Sequence, residues 1–223
     1  MLSQLLSGEL TFTSAVIYIL SSLAVIFLTM PIHEFAHAFV ADKLGDPTPR
    51  YQGRLALSPF AHIDYLGALL ILLVGFGWAK PVQVNNLNFK NPKRDMALVA
   101  LAGPMSNVIL AFLCLVVANA IAVFTSGIVF YYIYFFFYYI AIINVSLAVF
   151  NLIPVPPLDG SRILAVLLPN RIYYKLMQYE RYLYFILIAL LISGVLDKFL
   201  SAASDLILVG LDGLAYLLFA FLR

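Results

Sequence analysis

The chain has 223 residues, 64% of them hydrophobic and 11% charged, with a net charge of +2 and a mean hydropathy of +1.00. Soluble domains carry about 45–50% apolar and about 25% charged residues, so a water-soluble fold and a disordered chain are both excluded. The small, scattered positive charge likewise excludes a nucleic-acid binder.

The single cysteine, Cys114, has no partner for an internal disulfide. The length suits one membrane domain, residues 1–223. Crossing a bilayer as a helix takes about 20 apolar residues. The first such run is 12–42, and Pro31 inside it predicts a tilt or kink. No basic residue precedes Lys43, so the start lacks the charged region of a cleaved signal peptide. Further spans are expected at 96–124, 128–152, 172–196 and 200–222. The apolar stretch 64–77 is too short to span and reads as a re-entrant or interfacial segment. Beside it, 53–58 (GRLALS) and 81–85 (PVQVN) alternate like strands and predict a small β element on the cytoplasmic side. The aromatic run 130–139 reads as an interface belt. The expected fold is therefore all-α and polytopic, with about five transmembrane helices.

Charge placement orients the chain. If 64–77 does not cross, every lysine and arginine except Lys198 falls on one face. That face is then cytoplasmic and the N-terminus lies outside. Asp197, Asp205 and Asp212 read as solvated residues marking the opposite face.

The chain has three histidines, and two of them lie with Glu34 in one short motif, His33-Glu34-Phe35-Ala36-His37. One helical turn apart, His33 and His37 can reach one metal, with Glu34 placed to hydrogen-bond a water on it. Acidic residues are costly inside a bilayer, and those present are usually functional. Catalytic zinc takes three protein ligands and keeps a fourth position open. The third ligand must come from His62, Asp64 or Asp159. Asp159 could simply cap a helix at 160–168. However, it follows the prolyl stretch NLIPVPPLDG, and irregular backbone at membrane depth survives only where it is buried in protein or lines a cavity. Asp159 is the favoured ligand, and only a non-crossing 64–77 puts it on the same face as His37.

These motifs resemble the site-2 protease family of intramembrane zinc metalloproteases, in its compact prokaryotic form without a PDZ domain. The matching pieces are HEFAH (33–37), HIDYLG (62–67), GWAKPVQVN (77–85), AGPMSN (102–107) and NLIPVPPLDG (151–160). The resemblance implies one zinc ion on His33, His37 and Asp159, with Glu34 as catalytic carboxylate. It also implies that Asn151 holds the substrate or its oxyanion. The function expected is hydrolysis of peptide bonds within or near transmembrane segments of membrane proteins, in a prokaryotic cell membrane, by zinc-activated water with Glu34 as general base. A helical substrate must unwind first, and its extended segment could pair with the backbone around Val82 and Val84. His62 and Asp64 could line the entrance, support the ligands from behind, or anchor 64–77. Gly103, Ser106 and Asn107 are expected to serve close helix packing, with any Asn107 bond to the HEFAH helix structural. The alternatives are a membrane metal-ion transporter and a proteolytically inactive membrane chaperone.

Overall fold

The computed structural model describes residues 11–74 and 79–220. It begins with α1 (Phe12–Ala24), whose Thr11 hydroxyl accepts the Ser14 N–H as an N-cap. The chain continues without a break through a π-helical turn, Val25–Thr29, into α2 (Met30–Lys43). The wide turn is the local answer to Pro31. Proline offers no N–H and its ring crowds the carbonyl four residues back. The expected kink is thus a π turn, with Met30 N–H donating to Val25 O.

Two short turns, α3 (Thr48–Tyr51) and α4 (Pro59–His62), precede α5 (Tyr65–Val74). At 1.5 Å per residue, the ten residues of α5 reach about half of a ~30 Å hydrocarbon core. The last part of the expected re-entrant segment, 75–77, lies outside the described residues. The segment 44–91 leaves and returns at the same end of the bundle, since His37 near its start bonds Val99 just beyond its finish.

The long α6 (Pro92–Phe124) has Pro92 in its first turn, and Asp95 Oδ2 accepts the Asn91 N–H. It packs antiparallel to α7 (Ile128–Asn151) along a seam of fully buried small side chains, Ala111, Ala141 and Ala215, with Leu115 and Val145 between. Ala215 belongs to α11 (Asp197–Leu217). Ser21 anchors α1 on α7 by donating to Phe136 O at 3.0 Å. After α7 come α8 (Asp159–Leu164), α9 (Asn170–Gln178) and α10 (Glu180–Ile192).

The all-α polytopic architecture is present, and two details differ from expectation. Among the described residues, four helices are long and apolar enough to cross a membrane: Phe12–Lys43, Pro92–Phe124, Ile128–Asn151 and Asp197–Leu217. The expected span 172–196 is divided at Tyr179 into α9 and α10, and the 13 residues of α10 reach only about 20 Å. The β element does not form: no strand occurs among the described residues. Residues 81–85 do alternate, with Val82 and Val84 half-buried and Pro81, Gln83 and Asn85 exposed. Their backbone groups find no ladder, because 53–58 folds around the buried Arg54, which donates to Ala61 O and Lys80 O. One side-chain bond, Gln52 to Gln83, joins the two stretches. Asp212 also departs from a purely solvated role: its Oδ1 accepts from Asn119 Nδ2 at 2.8 Å between α11 and α6.

Asp46, just beyond α2, is fully buried and holds the 79–91 segment in place. Its Oδ2 accepts the Asn85 N–H at 2.7 Å. Its Oδ1 accepts from Asn88 Nδ2 and from the Thr48 hydroxyl, each at 2.6 Å, and from the Thr48 N–H. Burial pushes the carboxyl pKa up, but these hydrogen bonds outweigh it and hold the group below the ordinary range. A lowered folded pKa contributes stability at neutral pH that is lost as the pH falls through it. Asp46→Ala should therefore lose about 1–3 kcal/mol at pH 7. Its deficit in thermal midpoint against wild type, measured in detergent, should narrow below about pH 4.

Candidate metal centre

The HEFAH motif sits in the middle of α2, and all three of its polar residues are buried. The helix places His33 and His37 on one face, their rings meeting edge to face with centroids 4.7 Å apart. His37 Nδ1–H donates to Val99 O of α6 at 2.7 Å. That bond uses the Nδ1 proton and turns Nε2 inward, toward His33 and Asp159.

Gly103, one turn after Val99, makes the crossing of α2 and α6 possible. A Cβ there would overlap both imidazole rings. The expectation of close packing at Gly103 is met, and what packs against it is the histidine pair itself. Gly160 has the same task in the loop after α7, where a Cβ would overlap the Leu152 and Ile153 carbonyls. It lets α8 fold back against the prolyl stretch and brings Asp159 to the histidines.

Asp159 opens α8 as its first residue, and Leu158 before it makes no side-chain cap. The carboxylate turns to the imidazoles: Oδ2 lies 3.5 Å from His33 Nε2 and 3.3 Å from His37 Nε2, and the two Nε2 atoms are 3.0 Å apart. Tetrahedral zinc with bonds of about 2.0–2.1 Å separates its ligand atoms by about 3.3–3.4 Å. This triangle of one carboxylate oxygen and two imidazole nitrogens therefore has the donor chemistry and the size for one zinc ion. Among the described residues it is the group of three such side chains close enough to share a metal. Burial alone would raise the Asp159 pKa, but the histidines beside it hold the carboxyl well below its usual range.

Glu34 faces the same space, and its Oε2 accepts the Val82 N–H at 3.1 Å. A cavity of about 820 Å³ opens here, lined by the metal cluster, Glu34, Val82, Val84, Asn107 and Asn151. Side chains of α10 (Tyr184, Leu187, Ile188 and Leu191) close its far wall. Asn151 lies on that lining, with its Nδ2 donating to Leu147 O of its own helix.

His62 and Asp64 are not brought to the cluster. Asp64 Oδ1 accepts the Gly67 N–H and caps α5. His62 is fully buried, bonded through Nε2 to Ala56 O, and its backbone carbonyl accepts the Lys80 N–H at 2.8 Å. It braces the start of the cavity-lining segment. Asn107 makes no bond to the HEFAH helix among the described residues. Sequence reasoning missed Asp46 altogether. Its only signal was the turn-forming Gly-Asp-Pro, which reads as any loop.

The model of peptidase family M50 matches residues 116–194. The chain is 42% identical over 195 residues to YwhC of Bacillus subtilis (strain 168), covering 82% of this chain and 87% of that one. The chain belongs to peptidase family M50. Rip2 of Mycolicibacterium smegmatis is 30% identical over 181 residues, or 77% of this chain and 66% of its own. YwhC and Rip2 both bear the name "Putative zinc metalloprotease". MJ0392 of Methanocaldococcus jannaschii, named as a zinc metalloprotease, is 27% identical over 160 residues, 72% of this chain and 36% of its own. No solved structure matches. This M50 protein is a multi-pass membrane zinc metallopeptidase.

Gly103→Ala should displace the imidazoles it abuts. Purified protein should then carry well under half the wild-type zinc, measured by elemental analysis, with cleavage falling in proportion.

Proposed function

We propose that this peptidase hydrolyses peptide bonds within or near the transmembrane segments of membrane proteins, with zinc on His33, His37 and Asp159 and with Glu34 as general base. One observation carries the reading: the carboxylate of Glu34 and the three donors line one cavity inside apolar helices, beside an extended stretch of chain. Zinc, when bound, supplies Lewis-acid polarisation of the scissile carbonyl and lowers the pKa of an attacking water to about 7.

The rest falls to the chain's own residues. Glu34 keeps Oε2 on the Val82 N–H, so Oε1 is the atom that takes the proton from water and delivers it to the leaving amine. Asn151 lies on the cavity wall eight residues before Asp159 and takes part in holding substrate or its developing oxyanion. A substrate helix hides its peptide groups in its own hydrogen bonds and must unwind to be cut. Gln83 and Val84 keep backbone N–H groups free of partners among the described residues, while Val82 and Val84 face inward. This edge suits an unwound strand.

The metal cluster lies at the end of the bundle from which the loops 44–91 and 152–169 emerge; those loops carry five of the chain's 13 basic residues, and Lys43, Lys93 and Arg94 lie at the helix ends beside them. By the positive-inside rule this end is cytoplasmic, in a prokaryotic cell membrane, with the N-terminus outside.

Glu34→Gln should keep one zinc per chain and lose about 10²–10⁴-fold in cleavage of a co-expressed single-span substrate. Cleavage at wild-type rate by that zinc-loaded variant would sink the mechanism, and zinc uptake into vesicles that survives the change would favour transport. Val82→Pro removes the N–H bonded to Glu34, and Val84→Pro removes a free edge donor. Both should retain zinc, with the loss in kcat larger for the first and the rise in KM larger for the second.

A further inference from the structure

The cavity has a second amide on its wall, Asn107 of α6, and it differs from the other asparagines of the long helices. Asn119, Asn144 and Asn151 each donate to the carbonyl four residues earlier in their own helix. At Asn107 the equivalent carbonyl, Gly103 O, is taken by the Ser106 hydroxyl at 2.7 Å. Asn107 is 1% exposed, and its Oδ1 has no partner among the described residues. Its Nδ2 donates to none of them either. Leaving a buried amide unpaired costs about 1–3 kcal/mol, and natural proteins rarely accept it without a reason.

The position supplies the reason. Val99, Gly103 and Asn107 follow one another at successive turns of α6. Val99 O holds His37, Gly103 abuts both imidazoles, and Asn107 is the next residue along that face. It lines the same cavity as Glu34 and Asp159. An asparagine side chain carries one donor end and one acceptor end, the same pair that a peptide group presents.

We infer that Asn107 is a substrate-binding residue that pairs its free side-chain amide with a peptide group of the unwound substrate beside the metal cluster. The inference rests on the proposed peptidase reading and adds a residue that reading does not use. Asn151 has already committed one Nδ2 hydrogen to Leu147 O, which leaves its second hydrogen and its oxygen for the same task.

The test compares Asn107→Ala and the near-isosteric Asn107→Leu with wild type and Glu34→Gln, using a single-span membrane protein that the wild type cleaves. Loss of the amide should lower kcat/KM about 10–100-fold, the worth of one or two hydrogen bonds. Zinc should stay at one per chain, and the thermal midpoint should be unchanged or higher. A side chain with a structural task would instead lower the midpoint. A second readout does not depend on turnover. In a Cys114→Ala, Glu34→Gln background, on addition of the thiol oxidant diamide, Asn107→Cys should form a disulfide with a single cysteine placed within two residues of the cut bond. Wild-type kcat/KM in both Asn107 variants overturns the inference. So does a lowered midpoint in Asn107→Leu, or a crosslink absent at every substrate position. If Glu34→Gln itself still cleaves, the peptidase mechanism fails, and the Asn107 assignment fails with it.

Discussion

At Gly103 the histidine rings of one helix press so closely on the next that it has no room for a side chain, and the candidate metal cluster is arranged around that meeting. The imidazoles of α2 lie directly on the backbone of α6, where the carbonyl of Val99 turns one ring and fixes its proton. Once two nitrogens are fixed, the third donor has to come to them. The chain delivers it by folding back on itself over Gly160, with no side chain in the way of the preceding carbonyls. Close contact with backbone, rather than solvent, holds the two histidines in place.

The stretch Lys80–Asn85, before a 3-10 turn at Asn86–Asn88, is neither helix nor strand, yet it is not loose. Lys80 is tied to His62 O, Val82 to Glu34 and Asn85 to Asp46, so three bonds hold six residues of extended chain along a cavity. Two of those three acceptors belong to α2 or to the loop directly after it. The helix that carries the histidines therefore also sets the line of the cavity wall opposite them.

Much of this was legible in the sequence because charge is scarce there. In an apolar run, His33, Glu34 and His37 stand out as candidates for metal binding and proton transfer, and an aspartate behind three prolines had to lie where backbone is sheltered. Helix positions followed from hydropathy, which depends on composition rather than contacts. The β element was misread because alternation records which side chains face inward and is silent on whether a partner strand exists. Val82 and Val84 do face inward, but Arg54 takes the place where a ladder would form. The fifth span was misread because hydropathy averages over the break at Tyr179. Asp46 and the free amide of Asn107 were beyond reach, since each is defined by partners distant in sequence or missing.

The π turn at Val25–Thr29 has a bearing on how such a chain can change over time. In an uninterrupted α-helix each residue is rotated about 100° from the last, so the side that packs and the side that binds metal are locked in phase over the whole length. One extra residue in the turn resets that phase. Ser21 and Ile26 can then answer to their neighbours on α7 while His33 and His37 answer to Gly103. Substitutions on the N-terminal half of the span are decoupled from the azimuth of the histidines, and that half is free to diverge while the C-terminal half stays fixed.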